Sequence, residues 1–196
     1  MTRARLVLLA AALVVTGSAC SQTLKDSARP DCVEGLGGLS MEELGFDGRR
    51  VSTLTLFAQA VPTADRVPCV QNYPAGWRFS SMRVRNGHAR FSLDNDRVGV
   101  SVAKVTLTET CDVGGAQRIS SNEPGVQRFE RTSESGAELA GTRFYRFAGG
   151  CVTHEFRFPE RGSQLVDELD RALHFATRVD LNRQLRRVSG GSEYLL

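Results

Sequence analysis

From Met82 to Leu93, apolar and polar residues alternate on either side of an Asn86-Gly87 pair. Asn-Gly between two alternating runs is the strongest short-range sign of a two-residue β-hairpin. Such a turn pairs Arg85 with His88, Val84 with Ala89, Arg83 with Arg90 and Met82 with Phe91. Met82, Val84, Ala89, Phe91 and Leu93 then share one face and the polar residues the other, as a half-buried antiparallel sheet requires. Further strands are expected at 98–109, 126–131, 142–147 and 151–158. Val98, Val100 and Val102 share one parity and Val105 and Leu107 the other, which predicts a bulge or bend near Ala103-Lys104. Gly149-Gly150 supplies a second hairpin turn, after which Val152, His154, Phe156 and Phe158 line one face. The stretch 51–60 is ambiguous between strand and helix, and its β-branched start favours a strand.

After Gly162-Ser163 the period changes. Leu165, Val166, Leu169, Ala172, Leu173 and Ala176 form one stripe, with Asp167, Glu168, Asp170 and Arg171 outside it. This spacing predicts an amphipathic helix of about 14 residues, with a second helical piece running on to Arg187. Ser40-Met41-Glu42-Glu43 fits a capping box and predicts a short helix at 41–44. Strands followed by helix make the expected class α+β: an antiparallel, twisted sheet of five or six strands with a C-terminal helix packed on one face. In element order, with Pro74-Ala75-Gly76-Trp77 at the opening and a closing helix behind Gly149-Gly150, the chain resembles the Mog1/PsbP-like domains of some actinobacterial lipoproteins. The likeness is one of order and not of a residue motif.

The N-terminus reads as an address. Arg3 and Arg5 precede an apolar run from Leu6 to Val15, and Thr16-Gly17-Ser18-Ala19 supplies the small residues of a cleavage site. That run is too short to span a bilayer core, which takes about 20 residues. In Gly17-Ser18-Ala19-Cys20 the chain resembles the lipobox of bacterial lipoproteins, whose cysteine is diacylated and becomes the mature N-terminus. Gly17 departs from that pattern, where leucine is commoner, and leaves a secreted soluble protein as the alternative. The resemblance implies the outer face of the cytoplasmic membrane, with the membrane itself as a partner through a diacylglycerol-cysteine. The expected organisation is a signal peptide at 1–19, a polar tether at 20–31, a single disulfide-containing domain at 32–188 and a C-terminal tail at 189–196.

Cysteine and charge counts narrow the picture. With Cys20 assigned to lipid, Cys32, Cys69, Cys111 and Cys151 remain, an even set suited to two disulfides in an exported domain. The nearest two lie 37 positions apart, unlike the close pairs of structural zinc sites. Three connectivities are open; Cys32–Cys69 with Cys111–Cys151 is favoured because the last two flank neighbouring strands. Of 25 basic residues against 22 acidic, Arg3 and Arg5 leave with the leader, so 23 face 22. That balance offers no bulk attraction to nucleic acid. Only Lys25 and Lys104 are lysines, an arginine bias in keeping with a GC-rich genome of the actinobacterial kind.

Candidate chemistry is sparse. His88, His154 and His174 have no G-x-S-x-G elbow or other nucleophile beside them, so no catalytic residue, metal or cofactor is assigned. His154 reads as a satisfied residue where sheet meets helix, and His174 as a cation late in a helix. Asp94-Asn95-Asp96 has the start of a calcium loop but lacks its closing glutamate, and reads as a tight turn. Trp77 is expected as a core anchor, with a carbohydrate-stacking platform as the alternative. One feature is unusual: the hairpin sets Arg83 against Arg90, with Arg85 and His88 next along. Like charges directly opposite are destabilising in a sheet, unless solvated or bridged by an anion. These four residues are the candidate anion-binding face. The function expected is a membrane-anchored envelope lipoprotein with a non-enzymatic binding domain, its partner an anionic envelope component or an envelope protein. The alternatives are capture of a small apolar ligand between sheet and helix, or a hydrolase site assembled from scattered residues.

Overall fold

The computed structural model describes residues 29–32, 53–135, 138–159, 162–188 and 195. The leader, Cys20 and the expected helix at 41–44 lie outside the described residues. Among them run helix α1 (Thr53–Ala60), strands β1 (Arg66–Val70), β2 (Trp77–Arg85), β3 (His88–Asn95), β4 (Gly99–Thr108), β5 (Gln117–Ile119), β6 (Gln127–Ser135), β7 (Glu138–Phe147) and β8 (Gly150–Pro159), helix α2 (Ser163–Ala172), strand β9 (Leu173–Thr177) and helix α3 (Arg178–Val188). Seven strands form one sheet in the order β2-β3-β4-β8-β7-β6-β5, and β1 pairs with β9 in a separate ribbon. Each of these pairings is antiparallel.

The β2–β3 hairpin has the register its alternation demands, from Arg85 opposite His88 to Met82 opposite Phe91. Gly87 takes φ 74, and its amide donates to the Ala60 carbonyl at 2.7 Å, which docks the turn on the end of α1. The second hairpin turns one residue earlier than expected, through Ala148-Gly149, because Phe147 pairs with Gly150. A side chain at Gly149 would stand 1.8 Å from the Thr63 carbonyl, so the turn closes against the α1–β1 connection as well.

Three elements depart from the sequence reading, each for a tertiary reason. Residues 53–60 are helical, not extended; Phe57, wholly buried, stacks on Phe91 at 6.1 Å, and burial on both sides of the segment overrides its strand-like composition. The carbonyls that end α1 are met by Arg178, whose Nη2 donates to Ala58 at 2.7 Å and Val61 at 3.1 Å. The expected long helix stops at Ala172, and Leu173 to Thr177 become β9 because β1 has backbone groups to satisfy. The bend in β4 lies at Ser101 (φ 50) rather than at Ala103-Lys104, which keep regular register with Leu93 and Ser92. Asp94 accepts a hydrogen bond from the Ser101 amide at 2.7 Å and holds that irregularity. The large sheet exceeds the expected five or six strands by short β5, and the separate β1–β9 ribbon is a further addition; both carry too few alternating residues to stand out.

One face of the large sheet is covered and carries the core: Phe91, Leu93, Val105, Leu107, Val152 and Phe158 are at most 1% exposed. Trp77, 4% exposed, meets Phe158 edge-on at 6.0 Å and is a core anchor, not a platform. Gly141 faces Phe156 across β7–β8, and a Cβ there would lie 2.5 Å from the Phe156 ring, so the ring lies across the glycine. Cys32 is joined to Cys69 and Cys111 to Cys151, with Cα atoms 4.9 and 5.7 Å apart. The first bond fastens residues 29–32 to β1, where Asp31 forms a parallel bridge with Val70. Leu195 is also buried, its amide bound to the Asn182 side chain, so the expected tail contributes to the core. No helix among the described residues is long and apolar enough to cross a membrane.

Candidate anion-binding face

The second face of the large sheet is the open one, and register decides what stands on it. One row runs Arg83, Arg90, Thr106, Thr153, Phe144, Phe129, Arg118 across all seven strands. A neighbouring row holds Arg85, His88, Thr108, Cys151, Arg146 and Gln127. On the other side runs Ser81, Ser92, Lys104, Glu155, Thr142, Arg131, with Arg157 beyond it on β8. Arg83, Arg85, Arg90, Lys104 and Arg118 form no ion pair among the described residues. The His88 imidazole is held below its ordinary pKa, first by burial and then by the charges of Arg85 and Arg90, so it stays neutral between them.

The candidate residues Arg83, Arg85, His88 and Arg90 therefore stand together, and the sheet adds Lys104, Arg118, Arg131, Arg146 and Arg157 to their face. Sequence reasoning missed these five. Parity within each strand is visible in the chain, but which parity faces solvent depends on how β6, β7 and β8 lie beside β4.

A crossover partly roofs this face. Because β4 and β5 are separated by β8, β7 and β6, the chain between Thr108 and Gln117 must pass over three strands. Cys111 is bonded to Cys151 on the open face, and the Gly114 carbonyl accepts a hydrogen bond from Arg131 at 2.8 Å. Phe144, opposite Phe129, is thereby only 3% exposed although it stands on the open face. Arg131 lies over the Phe144 ring at 5.4 Å and Arg146 over Phe129 at 5.9 Å. Stacked this way, the guanidinium groups are fixed in orientation while keeping donors to spare.

The face is not flat. An open cavity of about 490 Å³ is lined by Lys104, Arg131, Ser133, Thr142, Glu155 and Arg157, among others. A second, of about 700 Å³, lies by β5 and β6 between Arg118, Ile119, Val126 and Arg128.

Behind the sheet, in the seam with α2, lies a different polar cluster. Arg143, 8% exposed, donates from Nε to Glu130, and its other nitrogens reach Asp167 at 3.2 Å and Asp170 at 3.3 Å. Asp170 also pairs with Arg128 at 2.7 Å and accepts the Tyr145 hydroxyl. Burial opposes the charge on Arg143, but the Glu130 hydrogen bond and the Asp170 charge outweigh it and hold the guanidinium above its usual pKa. His154 lies among these groups, wholly buried, and neither ring nitrogen has a partner among the described residues. It is therefore not the satisfied histidine that its position suggested. His174 stands in β9 rather than in a helix, with Nδ1 3.1 Å from Glu123. Asp94, Asn95 and Asp96 serve the β3–β4 turn: Asn95 accepts from the Arg97 amide at 2.9 Å and Asp96 pairs with Arg78 at 2.8 Å. Neither a family model nor a curated protein matches this chain.

Proposed function

We propose that this chain is a lipid-anchored domain on the outer face of the cytoplasmic membrane, binding an anionic envelope component through its open sheet face. The observation that carries the reading is the Arg83–Arg90 pair: two cations directly opposite in register, neither in an ion pair among the described residues. Side chains so placed, about 5 Å apart at their Cβ atoms, repel one another. An anion seated between them removes that repulsion and gains a charge-assisted hydrogen bond from each guanidinium. Further support comes from the lipobox-like Gly17-Ser18-Ala19-Cys20 and from four other cysteines that close as two pairs, chemistry suited to an oxidising compartment.

Two measurements test this. Mass spectrometry of the mature protein is expected to find Cys20 as the first residue, carrying diacylglycerol; an intact leader would overturn the anchoring. For the binding face, association with anionic vesicles is measured in a Cys20→Ser background, so that no acyl chain contributes. A cation near an anionic surface contributes about 1 kcal/mol, so Arg83→Glu with Arg90→Glu is expected to weaken association by about 30-fold or more at low salt. Unchanged association would remove the basic face from the function.

A further inference from the structure

We infer that the 490 Å³ groove on the open face is a site for a phosphorylated polyol. The inference rests on the reading of this face as an anion-binding one and names the ligand's chemical class.

Lys104, Glu155, Thr142 and Arg131 stand in one row on β4, β8, β7 and β6. All four line the groove, and Arg157 flanks them two residues along β8. Its floor is low because Ala140, on the same face of β7 as Thr142, brings only a methyl group to it. At a strand spacing of about 4.8 Å, Lys104 and Arg131 stand roughly 14 Å apart at the backbone, with the acid and the hydroxyl between them.

The charges are arranged for something other than each other. Lys104 and Glu155 are directly opposite, yet form no ion pair among the described residues. Arg131 is steered by the Gly114 carbonyl and the Phe144 ring, contacts that leave most of its five donors unused. Among the described residues Arg157 is engaged only by Glu138 at 3.3 Å, a largely solvated pair that water and salt screen and a ligand displaces at little cost.

This donor set has a chemical meaning. A phosphate group matches the Arg131 fork and the Lys104 and Arg157 charges. A bare polyanion would meet Glu155 at the centre of the row and be repelled. A ligand carrying hydroxyl groups beside its phosphate donates to the Glu155 carboxylate and exchanges hydrogen bonds with Thr142. The groove is also far larger than one phosphate and falls within the range of small-ligand sites. Anion and hydroxyls together specify a polyol phosphate, whether the headgroup of an anionic lipid or a free compound.

Calorimetric titration of the full chain with glycerol 3-phosphate, inorganic phosphate and glycerol, at matched ionic strength, tests this. Glycerol 3-phosphate is expected to bind at least tenfold more tightly than inorganic phosphate, and glycerol alone not measurably. Lys104→Gln is expected to weaken both phosphates, whereas Glu155→Gln abolishes the preference and leaves inorganic phosphate bound equally or better. Equal affinity for the two phosphates, or a preference untouched by Glu155→Gln, would overturn the inference. Competition by phosphatidylglycerol vesicles assigns the ligand to a lipid headgroup, and its absence assigns it to a free polyol phosphate. Arg83 and Arg90 do not line the groove, so vesicle association insensitive to their reversal would count against the wider reading while this titration still reports on the groove.

Discussion

Arg143→Ala is expected to lower the unfolding free energy by about 3 kcal/mol, a loss read directly from chemical denaturation at neutral pH. The magnitude follows from position. Arg143 is 8% exposed and joins Glu130 on β6 to Asp167 and Asp170 on α2, so it ties the helix to the sheet through charge. Truncating it leaves Glu130 and Asp170 half-buried with fewer partners, and an unpaired buried charge costs far more than the pair contributes. Asp167 is mostly exposed, so its share is small. Asp170 retains Arg128, which keeps the cost from rising further. Arg143→Lys preserves the charge but not the fork, and its loss is expected to fall between wild type and alanine. A loss under about 1 kcal/mol for Arg143→Ala would mean that the cluster behaves as a solvated surface network.

Acidification from pH 7 to pH 5 is expected to cost about 2 kcal/mol of stability through His154 alone. Burial pushes its imidazole from the ordinary 6.5 down to about 3; the Asp170 charge works upward, and those of Arg143 and Arg128 downward. Between pH 6.5 and about 3 the unfolded chain therefore binds a proton that the folded chain refuses. Stability must fall with pH in that window, at a limiting rate of about 1.4 kcal/mol per unit. His154→Leu fills a similar volume, removes two unsatisfied ring nitrogens and is expected to be as stable as wild type or more so at pH 7. The variant's curve should also lose the His154 share of the acid slope, leaving only what the carboxylates contribute. Parallel pH profiles for variant and wild type would show that the histidine is reached by protons in the native state.

Legibility followed how local the deciding physics was. The β2–β3 register could be read in full because a two-residue turn and the alternation around it carry the whole specification. The strands near 98–109, 142–147 and 151–158 were legible for the same reason, since half-buried strands announce their period. Residues 53–60 misled because Phe57 and Ala58 are buried by other elements, and burial erased the period that separates helix from strand. The helix beginning at Ser163 was legible as far as Ala172; beyond it, helical spacing persisted while the backbone was recruited by β1. In the candidate site, Arg83, Arg85, His88 and Arg90 could be grouped from one hairpin. Lys104, Arg131 and Arg157 could not, because they lie on three strands brought together only by the order β4-β8-β7-β6.

The chain by itself determined the hairpin, the alternation of faces along each strand, the amphipathic helix and the even set of four cysteines within the domain. All of these are written in spacings of a few residues, over which backbone geometry leaves little choice. Tertiary structure alone decided the order of the strands across the sheet, and that a crossover from β4 to β5 would roof the open face and fix Arg131; it closed the favoured one of the three cysteine pairings. It also decided that His154 would be stranded beside Arg143. Contacts between residues tens of positions apart depend on strand order, and strand order is set by the burial of the whole core rather than by any local signal.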